Sequence, residues 1–250
     1  MSENLVTRTI SKSDQVASLL LKTIVDSDLR LGDSLGTESE LIQKYGVSRP
    51  TLRESLRILE SQGVIAMRPG PRGGILVRRP NVEFVAHALS LYLRLNEVPF
   101  IEIVKARLEI EPSLAHNAAE FGTAEDFDEM QASIDRMKKN GNDPMEFASE
   151  NRVFHACIAK ASKSAVLETF WTVLSIVASG ERHGMRYTEK NRRAIVEYHQ
   201  KILNACRDRD RDLAAKLMKE HIGELDHLLR TRFKDLSSEP TDISARPNSA

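Results

Sequence analysis

The sequence is poor in cysteine, in aromatic residues and in long apolar runs. Its 250 residues hold only two cysteines, Cys157 and Cys206, too few for the disulfide framework of a small secreted domain. Both fall among apolar neighbours in helical patterns, which points to buried free thiols in a reducing compartment. No apolar stretch approaches the roughly 20 residues of a membrane span. Met1 to Ile10 lack the apolar core of a signal peptide. A cytoplasmic protein with no membrane partner is expected. Net charge is also missing: 36 Lys and Arg balance 36 Asp and Glu, which by itself argues against a nucleic-acid partner.

The charge balance is uneven along the chain, however. Residues 1–80 carry 12 Lys/Arg against 9 Asp/Glu, and within 49–79 seven arginines face only Glu54 and Glu60. A local basic patch on a neutral chain suggests that one part touches phosphate while the rest does something else. The length suits one large domain or two modest ones.

Two parts with different patterns follow. Apolar residues at helical spacing (Val16, Leu19, Leu20, Ile24) predict a first helix over 12–29, ended by the turn Leu31-Gly32-Asp33. Thr37-Glu38-Ser39-Glu40 is a capping box that opens a short helix through Tyr45. After the tight turn Gly46-Val47-Ser48, a helix runs from Arg49 to about Gln62, with Leu52, Leu56 and Leu59 inward, Ser48 as N-cap and Pro50 in the first turn. Gly63 stops it. Val64–Met67 and Ile75–Val77 read as two strands around Arg68-Pro69-Gly70-Pro71-Arg72-Gly73-Gly74. This order is that of a winged helix-turn-helix over 12–79, preceded by a tail, 1–11. A linker at 80–82 leads to helical patterns over 83–95, 99–121, 123–139, 143–161, 164–181, 187–208 and 210–234. The fold class is therefore mainly α: a winged helix-turn-helix followed by an all-helical bundle over 83–234. The Ser- and Pro-containing segment 235–250 reads as a disordered tail.

Arg49, Arg53 and Arg57 stand four apart, on one helical face opposite the leucines. Arg49 and Arg53 lie early in that helix, where side chains reach base edges, and the arginine fork pairs with guanine O6 and N7. Gly70 and Gly73 allow a close backbone approach, with Arg68 and Arg72 supplying charge. A solvated basic helix beside an ordinary hairpin would explain the arginines alone, but not their order with the turn and the Arg/Gly-rich hairpin.

The run from Leu41 to Ile65, above all Val47-Ser48-Arg49-Pro50-Thr51-Leu52-Arg53-Glu54, resembles the N-terminal domain of the GntR family of bacterial regulators. The resemblance implies that Arg49 and Arg53 contact operator DNA with Gly70 against it, and Thr51, Arg57, Arg68 and Arg72 complete the expected interface. The family usually reads Leu-Pro-Ser-Glu-Arg-Glu-Leu before its second helix. Here the segment is Leu35-Gly36-Thr37-Glu38-Ser39-Glu40-Leu41, with Gly36 for the proline and Ser39 for a DNA-touching arginine.

Three of the seven histidines lie on apolar helical stripes: His155 between Asn151 and Ile158, His199 among Ile195, Ile202 and Cys206, and His221 among Leu213, Leu217 and Leu225. One inward histidine is more often a satisfied core residue than a ligand. Three on separate helices admit convergence on a zinc, nickel or similar ion. Arg107-Leu108-Glu109-Ile110-Glu111, Asn151-Arg152-Val153-Phe154-His155, Tyr198-His199 and Glu220-His221-Ile222 resemble the FCD effector domain of the FadR subfamily. The resemblance implies a divalent metal held by Asn151, His155, His199 and His221, Asn151 replacing the usual aspartate, and Arg107 facing an effector carboxylate. The common Glu two before that arginine is Lys105 here. Pairing of Arg107 with Glu111 is the plainer alternative.

His87, His116, His183 and His227 read as surface or local hydrogen-bonding residues. Trp171 and Phe170 read as core or pocket wall, and Arg182 and Arg186 as pocket lining or a solvated helix end. The leading function is a homodimeric, ligand-responsive transcription regulator, most simply a repressor, that binds double-stranded palindromic operator DNA and a small carboxylic acid. The alternatives are a regulator for which the metal is itself the signal, and a metal-dependent enzyme. No acid is placed as a general base: Glu197 lies on a different helical face from His199.

Overall fold

Helix follows helix along this chain, apart from one small sheet near the N-terminal end. The computed structural model describes residues 10–68, 74–139, 143–178 and 187–232, and the chain divides into two units between Phe84 and Val85. Gly70, Arg72 and Gly73 of the wing turn, Arg182, His183 and Arg186, most of the first eleven residues and the segment 235–250 lie outside the described residues.

The first unit contains α1 (Lys12–Asp26), β1 (Ser34–Gly36), α2 (Glu38–Tyr45), α3 (Arg49–Ser61), β2 (Ile65–Arg68) and β3 (Gly74–Val77). Thr37 caps α2 in the expected box: Glu40 N donates to Thr37 Oγ1 and Thr37 N to Glu40 Oε2. Ser48 caps α3 by accepting from Thr51 N. Leu52, Leu56 and Leu59 of α3 meet Val16, Ala17, Leu20 and Ile24 of α1 in one core with Leu41, Ile65, Ile75 and Val77. Ser55, buried at the α1–α3 contact, ties the two helices by donating to Ser13 O at 2.8 Å.

Three features of this unit differ from the pattern its sequence predicts. Leu19 is 51% exposed, and Ala17 takes the inward position on α1. The helix stops at Asp26 rather than reaching 29, with Asp28 in a left-handed turn. The sheet has a third strand that the sequence reading did not find: β1 pairs antiparallel with β3, giving the order β1-β3-β2. A register shift between Ser34 and Gly36 lets β1 bend into α2. Gly36 sits at φ 106°, a region closed to proline, so the glycine that stands in place of the family's proline belongs to this bend. At the other end of α3, Gly63 turns at φ 71°, and a Cβ there would meet the Phe84 ring at 2.9 Å.

The second unit takes in most of α4 (Val82–Leu95), then α5 (Phe100–Phe121), α6 (Ala124–Lys139), α7 (Pro144–Ala161), α8 (Ala165–Val177), α9 (Glu189–Arg207) and α10 (Arg211–Arg232). All the described strands lie in the first unit. Helix α5 packs on α10, α7, α8 and α9, while α6 packs on α7 and α9. The α9–α10 hairpin turns at Arg209 (φ 59°), whose Nη1 donates to Ala119 O on α5 at 3.0 Å. Two further corrections fall here. On α10 the buried stripe is Ala214, Met218, His221 and Ile222, so Leu213 (41% exposed) is not on it. On α8, Trp171 is buried but Phe170 faces outward. Cys206 is buried and Cys157 half-buried, both free; burial pushes the Cys206 thiol up to about 12, which fits an inert core residue. No helix is long and apolar enough to cross a membrane among the described residues.

Candidate functional site

On the first unit, Arg49, Arg53 and Arg57 are exposed along one side of α3, opposite the buried leucines. Arg53 Nε lies 3.0 Å from Glu38 Oε1 at the start of α2, and Arg57 pairs loosely with Glu54 at 3.6 Å. Thr51 Oγ1 is 2.8 Å from Ser48 Oγ, so it joins the N-terminal cap of the helix. Arg68 is exposed at the end of β2, where the wing begins. A short helix crossing behind a second helix with a cationic outer face is the form that fits a major groove.

On the second unit, four helices send polar groups to one buried point. His155 comes from α7, His199 from α9 and His221 from α10, at 2%, 0% and 7% exposure. His221 Nε2 lies 3.2 Å from His199 Nε2 and 3.2 Å from His155 Nε2. The Phe154 ring, next to His155, stacks on His199 with centroids 3.8 Å apart and planes 11° from parallel, which holds that imidazole in place. Helix α5 adds Glu111, a residue the sequence reading treated only as a partner for Arg107. Its Oε2 lies 2.6 Å from His155 Nδ1 and its Oε1 2.5 Å from Arg107 Nε. Its only sequence signal was an acid on the buried side of α5, four after an arginine.

The electrostatics follow from burial and these neighbours. Burial first, then the adjacent imidazoles, pushes His199 and His221 well below the usual histidine range. Burial alone would raise the Glu111 carboxyl, but the Arg107 guanidinium and His155 outweigh it and hold it well below the usual carboxylate range. The site therefore keeps two neutral imidazoles beside an ionised carboxylate.

The donor set fits a metal ion. Two nitrogens about 2.0–2.1 Å from one ion stand about 2.8–3.4 Å apart at bond angles from about 90° to 109°, and the observed spacings of 3.2 Å fall within that range. His221 Nε2 faces both other Nε2 atoms, and hydrogens between them cannot satisfy all three, whereas a cation uses all three lone pairs. Asn151 Oδ1, one turn before His155, is buried with no hydrogen-bond partner among the described residues, and a carboxamide oxygen is an acceptable ligand. Of the predicted ligands, the three histidines are thus brought together and Asn151 lines the cavity beside them.

That cavity has a volume of about 360 Å³, and Arg107, Asn151, His155 and His221 line it. It extends along α9 to Thr188 and along α10 to Thr231. Arg107, 14% exposed, uses Nε on Glu111 and retains other N–H groups of its fork. Lys105 points elsewhere, paired with Glu102. His227, read as a surface or local hydrogen-bonding residue, is exposed and also lines the cavity. His87 is exposed, and His116 stands 3.9 Å from Glu120 and 3.8 Å from Asp212, beyond hydrogen-bond distance.

Comparison with known proteins accounts for both units. Residues 12–77 match the model described as bacterial regulatory proteins, gntR family, and residues 102–224 match the FCD domain. The uncharacterised HTH-type transcriptional regulator YcbG of Bacillus subtilis is 31% identical over 86% of this chain and 88% of its own length. The Uxu operon regulator of Haemophilus influenzae is 28% identical over 88% of this chain and 81% of its own, and the galactonate operon transcriptional repressor of Escherichia coli 25% over 82% and 91%. Among solved structures, a Streptococcus agalactiae GntR protein superposes with a TM-score of 0.70 at 20% identity, covering 86% of this chain and 99% of that one, a likeness of fold. These are transcription regulators rather than enzymes. The chain belongs to the gntR family of bacterial DNA-binding transcription regulators, with an FCD domain following its winged helix-turn-helix.

Proposed function

We propose that this regulator is a cytoplasmic homodimeric repressor that releases a palindromic operator when a small organic acid binds its FCD domain beside a divalent metal. His155, His199, His221 and Asn151 hold the ion, with zinc or nickel best suited to three imidazoles. Arg107 receives the acid. The observation that carries this reading is the meeting of three buried imidazole nitrogens beside a cavity that also exposes Arg107. An ion held by neutral donors keeps its double positive charge. A carboxylate entering the cavity meets both that ion and the guanidinium where solvent screening is weak. The relative named for a galactonate operon regulates genes for a sugar acid, in keeping with a carboxylate signal.

On DNA, Arg49 and Arg53 read base edges in the major groove. Thr51, Arg57, Arg68, Gly70 and Arg72 position the domain on the backbone and wing side. Two copies are needed because one such domain offers too few base contacts for useful specificity, and a two-fold protein matches a two-fold operator.

The test begins with duplexes selected from a random pool by the full-length protein, followed by gel shifts with organic acids added with and without zinc. An inverted repeat released by an acid, more readily with metal present, supports the reading. Release by metal alone would make the ion itself the signal, and no selection of any duplex would remove the DNA assignment.

A further inference from the structure

We propose that Glu111 is a positioning residue for the metal centre: it holds His155 in the tautomer that ligates and supplies the negative charge that the neutral Asn151 does not. This rests on the metal reading above.

Geometry sets the tautomer. Glu111 Oε2 stands 2.6 Å from His155 Nδ1. A carboxylate oxygen and a nitrogen lone pair would repel at that distance, so the short contact places the hydrogen of His155 on Nδ1, facing the carboxylate. The lone pair of His155 is then on Nε2, the atom that faces His221 Nε2. A carboxylate behind a ligating imidazole fixes ring and tautomer and makes the outer nitrogen more basic. What sets His155 apart from His199 is the carboxylate 2.6 Å from its Nδ1; the His199 ring is held by stacking on Phe154.

The same atoms bring charge to the site. The four expected ligands, Asn151 and three histidines, are all neutral, so the ion's double charge has no compensation from the residues that touch it. Glu111 is 1% exposed, is held in an ion pair by the Arg107 guanidinium, and reaches the cluster through the imidazole it contacts. Arg107 alone would satisfy one carboxylate oxygen; the second oxygen is placed on His155. The guanidinium thus anchors Glu111 at one oxygen and leaves the other for the histidine.

Three full-length proteins test this: wild type, Glu111→Gln and the double variant Glu111→Gln with Asn151→Asp. Each is stripped of metal and titrated with zinc against a chromophoric chelator, and each is melted without metal. Zinc affinity should fall roughly 10- to 100-fold in Glu111→Gln and recover most of that loss in the double variant, where a carboxylate returns the missing charge. The metal-free melting temperature separates this from a general loss of packing, which would lower that temperature in step with the zinc affinity. Wild-type protein with ¹⁵N-labelled histidine supplies a measurement that needs no variant to fold: metal-free His155 should be protonated at Nδ1. A His155 protonated at Nε2, or a folded Glu111→Gln binding zinc as wild type does, overturns the proposal while leaving the metal site standing. Failure of wild type to bind zinc overturns the metal reading, and this proposal with it.

Discussion

His199 and His221 approach through their Nε2 atoms at 3.2 Å, each buried and each kept neutral by that burial. One hydrogen satisfies a single pair of facing imidazole nitrogens, but His221 Nε2 also faces His155 Nε2 at 3.2 Å, so the three are better satisfied by an ion than by one another. Zinc at about 100 times its Kd should therefore raise the unfolding free energy by about 2.7 kcal/mol, read as a thermal shift. His199→Ala should abolish the shift. An equal zinc shift in that variant would place binding elsewhere.

Asn151→Asp adds a negative charge at an oxygen that has no partner among the described residues. Divalent-metal affinity should rise, by direct titration, because a charged ligand replaces a neutral one. A weaker site in the variant would show that residue 151 does not ligate.

Arg107 serves Glu111 and, in the proposed function, the effector. Arg107→Ala should weaken an inducing carboxylate by about 1.5–3 kcal/mol, as for a hydrogen bond to a charged group. The same change leaves the Glu111 carboxylate without its guanidinium, so metal-free stability should fall as well. Arg107→Lys separates the two roles: the ammonium still neutralises Glu111 but lacks the fork. Calorimetry should show stability largely restored and acid affinity still reduced. Full acid affinity in both variants would leave Arg107 as a structural partner only.

Arg53 is paired with Glu38 at 3.0 Å, yet its side chain remains 61% exposed, so the pair is a weak hold that DNA can replace. Arg49→Ala and Arg53→Ala should each cost about 1–3 kcal/mol on the selected operator if the contacts are bidentate. Loss should be much smaller on unrelated duplex. Gel shifts in which both variants bind the operator like wild type would exclude these residues from the interface.

Asp126 gives a pH dependence away from the metal site. Burial would raise its carboxyl, but Lys163 at 2.6 Å and the Thr123 backbone and hydroxyl outweigh it and hold it below the usual aspartate range. A depressed folded value means that the stabilisation is complete above the unfolded aspartate value and is lost as pH falls through the folded one. Asp126→Asn should therefore be less stable than wild type at pH 7, with the difference shrinking as pH drops below about 4. A difference that stays constant down to pH 2 would mean that the carboxylate charge contributes nothing to holding α6.

The helices were legible because each is written locally. Thr37 and Glu40 make the box that starts α2, Ser48 caps α3, and periodicity alone turns His155, His199 and His221 inward. Where the signal is short or two registers compete, local pattern falls short. Three residues at Ser34–Gly36 carry no alternation long enough to announce β1, which exists because β3 offers it an edge. On α10, Leu213 and Ala214 both fit an apolar stripe, and only packing against the neighbouring helices selected the alanine.

The sequence by itself determined the broad apolar face of each helix, because a period of 3.6 assigns faces without reference to anything distant, though not every residue at the edge of that face. It also determined the outer arginine face of α3 by the same rule. The tertiary structure decided where four inward faces meet. Glu111, His155, His199 and His221 are separated by up to 110 residues in the chain, and no local pattern carries the crossing of α5, α7, α9 and α10 that brings them together. The contact of Glu111 with His155 depends on that crossing, since its two residues belong to different helices and their approach to 2.6 Å is fixed by how those helices pack.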